Sequence, residues 1–188
     1  MSVLAFSALL GVVGLLRLVE LAISKRNQRR LEAKGAKKMS EPHFRWMVVL
    51  HGGFLIAAAL EVQLLNRPFL PGLALPMGIV FALATALRWW VIATLGENWN
   101  VQVMAATPLR VVTDGPFRWI RHPNYLAVFV EMVALPLIYS AWLTALIGGL
   151  ANVWILRRRL ATEEEVLMGD AAYRETMGLK PRFLPKVF

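Results

Sequence analysis

The sequence predicts an all-α polytopic membrane bundle: three spans followed by a C-terminal helical hairpin, about five helices in all. Three observations predict it. Hydrophobic residues make up 57% of the chain and mean hydropathy is +0.54, although 18% of the residues are charged. The apolar residues gather in runs close to the ~20 residues needed to cross a bilayer. The basic residues fall in blocks between those runs, which is how integral membrane proteins distribute them. The net charge of +9 therefore points to membrane lipid, and no nucleic-acid partner is expected.

At 188 residues the chain is one domain's worth and shows no internal repeat. It has no cysteine, which excludes disulfides, thiol nucleophiles and cysteine-ligated zinc. Its three histidines have no paired spacing, so no metal site is expected.

Ser2 to Ile23 is the first span. It lacks the basic start and cleavage site of a signal peptide, so it reads as a retained helix. Arg17 and Glu20, three apart, share a helical face and can pair. The basic connector SKRNQRRLEAKGAKK follows and reads as a solvated segment facing anionic lipid. Trp46 to Leu65 is the second span, carrying His51 and Glu61, and Asn66 to Gly72 is a turn. Leu73 to Leu95 is the third span, with Arg88 inside it and Trp89-Trp90 near its end, where an interfacial aromatic belt would lie.

Gly96 to Arg121 is too polar to span. From Asn124 to Leu156 the chain is apolar again for 33 residues, long for one span and short for two. Pro136 and the Gly148-Gly149 pair are candidate breaks, which favours a tight hairpin over a single kinked helix. Arg157-Arg158-Arg159 ends the run, and a further helix is expected from Glu163 to about Met177. All but Arg17, Arg67 and Arg88 of the 21 basic residues lie in 25–45, 96–122 or the tail from Arg157. The positive-inside rule makes those segments cytoplasmic and puts the N-terminus outside, in the plasma or inner membrane if the source is bacterial. The hairpin must then leave and return on one side.

The stretch Val111 to Tyr125, VVTDGPFRWIRHPNY, carries the chemistry. Asp114-Gly115-Pro116 is a turn signal, and Pro123 restricts His122 to extended geometry, so a helix should begin at about Asn124. Arg121 and His122 then stand at a helix N-terminus, a combination that suits a carboxylate or phosphate. A basic loop that only sets topology is the alternative. Across the hairpin's ends, Arg159 and Glu163 lie four apart on one helical face. The two pairs together can bind a small zwitterion. Glu163-Glu164-Glu165 equally suits a solvated helix N-terminus.

Depth gives one further expectation. Arg88 and Glu131 each lie about two turns, roughly 10 Å, inside the cytoplasmic ends of their helices. A lone charge at a span's centre costs ~2.5–3.5 kcal/mol. The two are therefore expected to face the interior and pair, with Glu20 as the competing partner for Arg88; independent placement of each is the alternative.

These residues resemble the isoprenylcysteine carboxyl methyltransferase family of integral membrane enzymes. The loop fits the family pattern V-x-x-G-x-Y-x-x-x-R-H-P-x-Y, the tail fits R-x-x-x-E-E-x-x-L at Arg159, Glu163, Glu164 and Leu167, and PRFLP closes it. The resemblance implies a cytoplasmic S-adenosylmethionine site, within about 96–188, beside a lipid-side tunnel for a lipophilic or prenylated acceptor. Cofactor contacts would fall on Leu109, Arg110, Val111, Val112, Phe117, His122, Pro123, Asn124, Tyr125 and Glu163. Arg159 would face the acceptor carboxylate, with Arg121 as the second catalytic residue. The chain departs from the pattern at Phe117, where the family has tyrosine. Between Leu167 and Tyr173 it is also shorter and lacks the Phe-Gly pair of the tail's lid. The run ISKRNQRRLEAKGA, with His43 and MVVLHGGF, is similar to bacterial members that O-methylate long-chain alkylpyrones, so a carboxylate and an enolic hydroxyl both stay open as acceptors. A phospholipid N-methyltransferase would not need Arg159, and a lipid-binding scaffold would bind no adenosylmethionine.

Overall fold

Helix α1 of the computed structural model, which describes residues 1–41, 44–105 and 111–183, runs from Val3 to Ala33. Ser2 caps it, its hydroxyl accepting the Ala5 amide at 3.1 Å. The helix does not stop at Ile23. Polar residues continue the inward face of α1 beyond the apolar run: Ser24 accepts from the Val101 amide at 3.0 Å. Asn27 donates to the Gly96 and Trp99 carbonyls at 3.0 and 2.8 Å. Arg30 and Lys34 reach Glu97 at 2.8 and 3.0 Å. One face of the connector is therefore a docked helical extension, because its polar residues return at helical spacing to meet the 96–101 segment. Lys25, Arg26, Arg29, Lys37 and Lys38 stay exposed, as a solvated segment would have them.

Helix α2 spans Phe44–Leu64 and α3 spans Pro71–Leu95. With α1 they are three helices long and apolar enough to cross a membrane. The 96–122 segment holds two 3-10 turns, Gly96–Asn98 and Gly115–Arg118, and a two-residue strand β2 (Met104–Ala105). β2 pairs antiparallel with β1 (Lys37–Lys38).

The apolar run after the loop is a hairpin, α4 (Pro123–Leu137) and α5 (Trp142–Gly169), with the break just past Pro136. Ser140 makes the corner with φ 57°. Gly148-Gly149, the other candidate break, lies inside α5. Its role is close packing, since a Cβ on Gly148 would sit 2.7 Å from the Phe54 ring. The 15 residues of α4 are about 22 Å long, less than the ~30 Å hydrocarbon core. The tip nevertheless reaches the far end of the bundle. There Glu61 of α2 accepts from the Leu143 and Thr144 amides at 3.1 and 2.7 Å, capping α5, and pairs with Arg67 at 2.8 Å. The Tyr139 ring packs on Phe6 and Phe69 at 5.3 and 5.5 Å. The start of α1, the α2–α3 turn and the hairpin tip thus share one end. The polar segments share the other.

No new helix begins at Glu163. α5 continues unbroken through the three arginines and three glutamates to Gly169, and Asp170 caps the short helix α6 (Ala171–Met177) by accepting the Tyr173 amide at 2.9 Å. Glu163-Glu164-Glu165 therefore lie towards the C-terminal end of a helix, where the dipole gives them no help, and of the three it is Glu164 that cations hold.

Among the spans, Arg88 faces the interior and binds both expected partners. It reaches Glu20 at 2.9 and 2.5 Å and Glu131 at 3.4 Å. Arg17 bridges the same carboxylates at 2.7 and 3.0 Å, and Thr85 donates to Glu131 at 2.9 Å. Two arginines and two glutamates cancel in formal charge and tie α1, α3 and α4 together inside the membrane. Removing one partner of such a cluster strands a buried charge, typically at about 3–5 kcal/mol.

Candidate active site

The loop is pinned to α3 before it reaches the site. Gly115 has φ +55°, and a Cβ there would meet the Thr94 hydroxyl at 2.5 Å, so both backbone and space require glycine. The 3-10 turn it opens delivers Arg121 and His122 to the head of α4, whose first residue is Pro123. His122 occupies the N-cap position, but its ring makes no cap. Buried at 4% exposure, it points Nε2 at Glu164 at 3.1 Å and stacks on Tyr125 at 5.6 Å between centroids.

Glu164 is the hub on the α5 side. Arg121 reaches it at 3.2 Å and Arg182 at 2.6 Å. Burial alone would raise its carboxyl, but the hydrogen bonds from Arg182 and His122 and the charge of Arg121 outweigh that and hold it below the usual carboxylate range. Its neighbour Glu163 accepts the Tyr125 hydroxyl and lies 3.9 Å from His122 Nδ1. The Arg-His and Arg-Glu pairs anticipated from spacing do face one another. The closer acid is Glu164, which the four-residue spacing from Arg159 did not single out.

Arg159 sits one turn back along α5, 8% exposed, with its guanidinium 5.6 Å above the Tyr125 ring. Nη1 lies 2.7 Å from the Met47 sulfur, and Nε faces Glu41 at 3.6 Å without a hydrogen bond. Glu41 in turn accepts the Val103 amide at 3.1 Å. Nothing in the sequence pattern marked Glu41; its place depends on the β1–β2 pairing, which brings the connector over the loop.

The tail closes the site. Arg121 and His122 donate their amides to the Pro181 and Arg182 carbonyls at 2.9 and 3.0 Å, and Lys180 donates to the Phe117 carbonyl at 2.8 Å. Residues 180–183 thus pack on the loop and on Glu164, and the tail residue that walls the polar cavity is Tyr173. Leu109, Arg110, His43 and the last residues of PRFLP lie outside the described residues.

Two cavities flank Arg159. One of about 170 Å³ opens among Val112, Phe117, Arg121, Glu163 and Tyr173, at the polar end of the bundle. The other, of about 470 Å³, runs between α1 and α2 towards α4 and is walled by Met47, His51, Asn124 and Tyr125. Arg159 and Asn100 line both. Pro123 is fully buried beneath the loop, and Val111 is half-buried. Among the described residues Asn100 Oδ1, Asn124 Oδ1 and Arg121 Nε are buried without a hydrogen-bond partner. Such atoms are costly unless a bound group satisfies them.

A sequence model of the isoprenylcysteine carboxyl methyltransferase (ICMT) family matches residues 75–169. Among curated proteins the chain is 27% identical over 162 residues to the uncharacterized protein YpbQ of Bacillus subtilis, covering 86% of this chain and 96% of that one. It is 29% identical over 165 residues to an uncharacterized protein of Haemophilus influenzae, covering 87% and 93%. Among solved structures it is similar in fold to the eukaryotic intramembrane Ras methyltransferase ICMT, with a TM-score of 0.54 at 22% identity. That match covers 73% of this chain but only 52% of the eukaryotic one, so the chain spans about half of that protein's length.

Proposed function

The chain belongs to the isoprenylcysteine carboxyl methyltransferase family of membrane methyltransferases, and from that premise we propose that it transfers a methyl group from S-adenosylmethionine to an acidic oxygen of a lipophilic acceptor. The observation that carries the proposal is the pair of cavities meeting at Arg159, one at the polar end and one among the spans. A polar cofactor and an apolar acceptor approaching from opposite solvents need such a junction.

The residues present fit the cofactor. Its amino-acid end offers an ammonium and a carboxylate, and the polar cavity offers both complements: the unpartnered amide oxygen of Asn100 with the Glu163 carboxylate, and the free Nε of Arg121. Asn124 opens on the wider cavity instead. Val112 and Phe117 supply apolar surface, and Phe117 can give no hydroxyl contact. When bound, the cofactor supplies an electrophilic sulfonium methyl.

The protein's own part is alignment. A carboxylate with an ordinary pKa of ~3.5 is already ionised at neutral pH, so no general base is required. Arg159, held over Tyr125, would orient the acceptor anion, and the Arg121-His122-Glu164-Arg182 cluster would fix the loop against the tail so that the reacting atoms are held together. Burial of Arg159 lowers the solvent screening around its guanidinium and strengthens its hold on an anion. On family grounds the acceptor oxygen is a carboxylate like that of a prenylated cysteine; an enolic hydroxyl acidic enough to ionise would meet the same guanidinium. An amine acceptor would gain nothing from Arg159.

The test is methyl transfer from labelled S-adenosylmethionine to candidate acidic lipids by the detergent-solubilised protein, with products identified by mass spectrometry. Labelled methyl esters or ethers are expected. Absence of any cofactor binding by calorimetry would replace the enzyme with a lipid-binding scaffold.

A further inference from the structure

The wider cavity is not an apolar sleeve. Arg17, Glu20, His51 and Arg88 stand in its wall, deep among the spans and apart from the loop-and-tail site. Most of this polarity is spent internally: Glu20 and Glu131 between them take up both arginines and Thr85. Two groups are not spent. Arg17 uses Nη1 and Nη2 on the carboxylates, its Nε makes no hydrogen bond among the described residues, and its side chain is 19% exposed, more than that of Arg88 at 8%. His51 has Nδ1 at 2.8 Å from the Met47 carbonyl. A carbonyl only accepts, so Nδ1 carries the proton and Nε2 of the neutral ring is left as an acceptor. Arg17 and His51 also wall a smaller adjoining recess with Glu131. A donor and an acceptor thus stand together in the cavity wall.

Their depth is set by α2. Met47 touches Arg159 and His51 follows one turn later, about 6 Å further in. Beyond them the lining includes Gly11 and Gly52, where an added Cβ would meet nothing within 4 Å, leaving room for a chain to pass towards lipid.

We infer that Arg17 and His51 form a second polar subsite in the acceptor cavity, specific for a group that both accepts and donates a hydrogen bond, as an amide does, one helical turn from the oxygen held at Arg159. The inference rests on taking the wider cavity as the acceptor's. It defines an acceptor class: an acidic amphiphile with an amide or hydroxyl between its acid and its tail, in preference to a plain fatty acid. The amide oxygen would accept from Arg17 and its N–H would donate to His51 Nε2.

The test compares binding of N-palmitoylglycine with that of the fatty acid of equal length, in which methylenes replace the amide, to the purified protein in detergent by thermophoresis. The wild-type protein should bind the acylglycine about tenfold more tightly, the worth of a well-made hydrogen bond or two in a dry site. In His51→Phe, which keeps an aromatic ring slightly larger than imidazole and loses only a bond to its own helix backbone, the ratio should collapse towards one. Arg17→Lys, which retains a cation beside Glu20 but withdraws the guanidinium, should act in the same direction. A thermal unfolding transition in detergent matching that of the wild type reports that each variant is folded. Equal binding of the two lipids by the wild type, failure of both to bind, or a preference that survives His51→Phe would each overturn the subsite. Methyl transfer to the same lipids is read separately: discrimination without transfer would sink the methyltransferase proposal and leave the subsite standing, and transfer without discrimination would do the reverse.

Discussion

His122 and Arg159 are both buried and both bear on Tyr125, yet they belong to different sides of the site. His122 lies on the loop that the tail covers, whereas Arg159 opens onto both cavities. The division gives a contrast to measure. His122→Ala removes its bond to Glu164 and loosens the loop, while Arg121 and Arg182 still hold Glu164. It should therefore weaken cofactor binding indirectly, by at most the about 1.5–3 kcal/mol of a hydrogen bond to a charged group. Arg159→Ala should lower turnover more than cofactor affinity. Calorimetry with S-adenosylmethionine beside a turnover assay separates the two, and equal loss of affinity in both variants would move Arg159 to the cofactor. Arg121, His122, Arg159 and Glu163 were legible in the sequence because helical spacing and a proline boundary are local signals. Glu164 and Glu41 were not: Glu164 is one of three adjacent glutamates that a four-residue spacing cannot separate, and Glu41 is placed by strand pairing across more than sixty residues.

The elements differ in how plainly the sequence declared them. A hairpin was expected and is present, and Pro136 marks its corner, but Gly148 was read as a possible breaker when its role lies in packing. α5 survives the glycine pair because α2 lies against it. The Phe54 ring fills the space a side chain would take, and Glu61 caps the helix start. A glycine in sequence does not reveal which of these uses it serves; only the partner helix decides. Gly148→Ala improves intrinsic helix propensity, so an isolated α5 would gain. In the folded protein the added methyl meets Phe54 at 2.7 Å, and overpacking of this kind costs about 1–3 kcal/mol. Thermal unfolding in detergent should show Gly148→Ala destabilised and Phe54→Leu in the same chain recovering part of the loss. Additive effects of the two substitutions would mean that the contact is not the cause.

At the scale of the whole molecule, charge divides the bundle into two unlike ends, and the ion pairs make that division sharper than a residue count does. Arg67, the one basic residue of the α2–α3 turn, is neutralised by Glu61 at 2.8 Å. At the opposite end Arg30 and Lys34 share Glu97, Arg121 and Arg182 share Glu164, and both the connector and the tail carry more lysines and arginines than acidic residues. The pairing inside the membrane adds nothing to either side, since Arg17 and Arg88 are balanced by Glu20 and Glu131. Depth made Arg88 and Glu131 legible as a pair. That both arginines would share both carboxylates was not legible, because it depends on how α1 packs against α3 and α4. The hairpin leaves and returns at the polar end, and three helices are long and apolar enough to cross a membrane, which favours opposite sides for the start of α1 and the tail. From the positive-inside rule we propose that the loop, the tail and the candidate site face the cytoplasm and the start of α1 faces outside. The chain has no cysteine, so single-cysteine variants report position without background. In spheroplasts of a bacterial host, a membrane-impermeant maleimide should label Asn66→Cys directly and Arg174→Cys only after permeabilisation. The reverse pattern would place the site outside the cell, away from the cytoplasmic supply of S-adenosylmethionine, and would overturn the proposed activity together with the orientation.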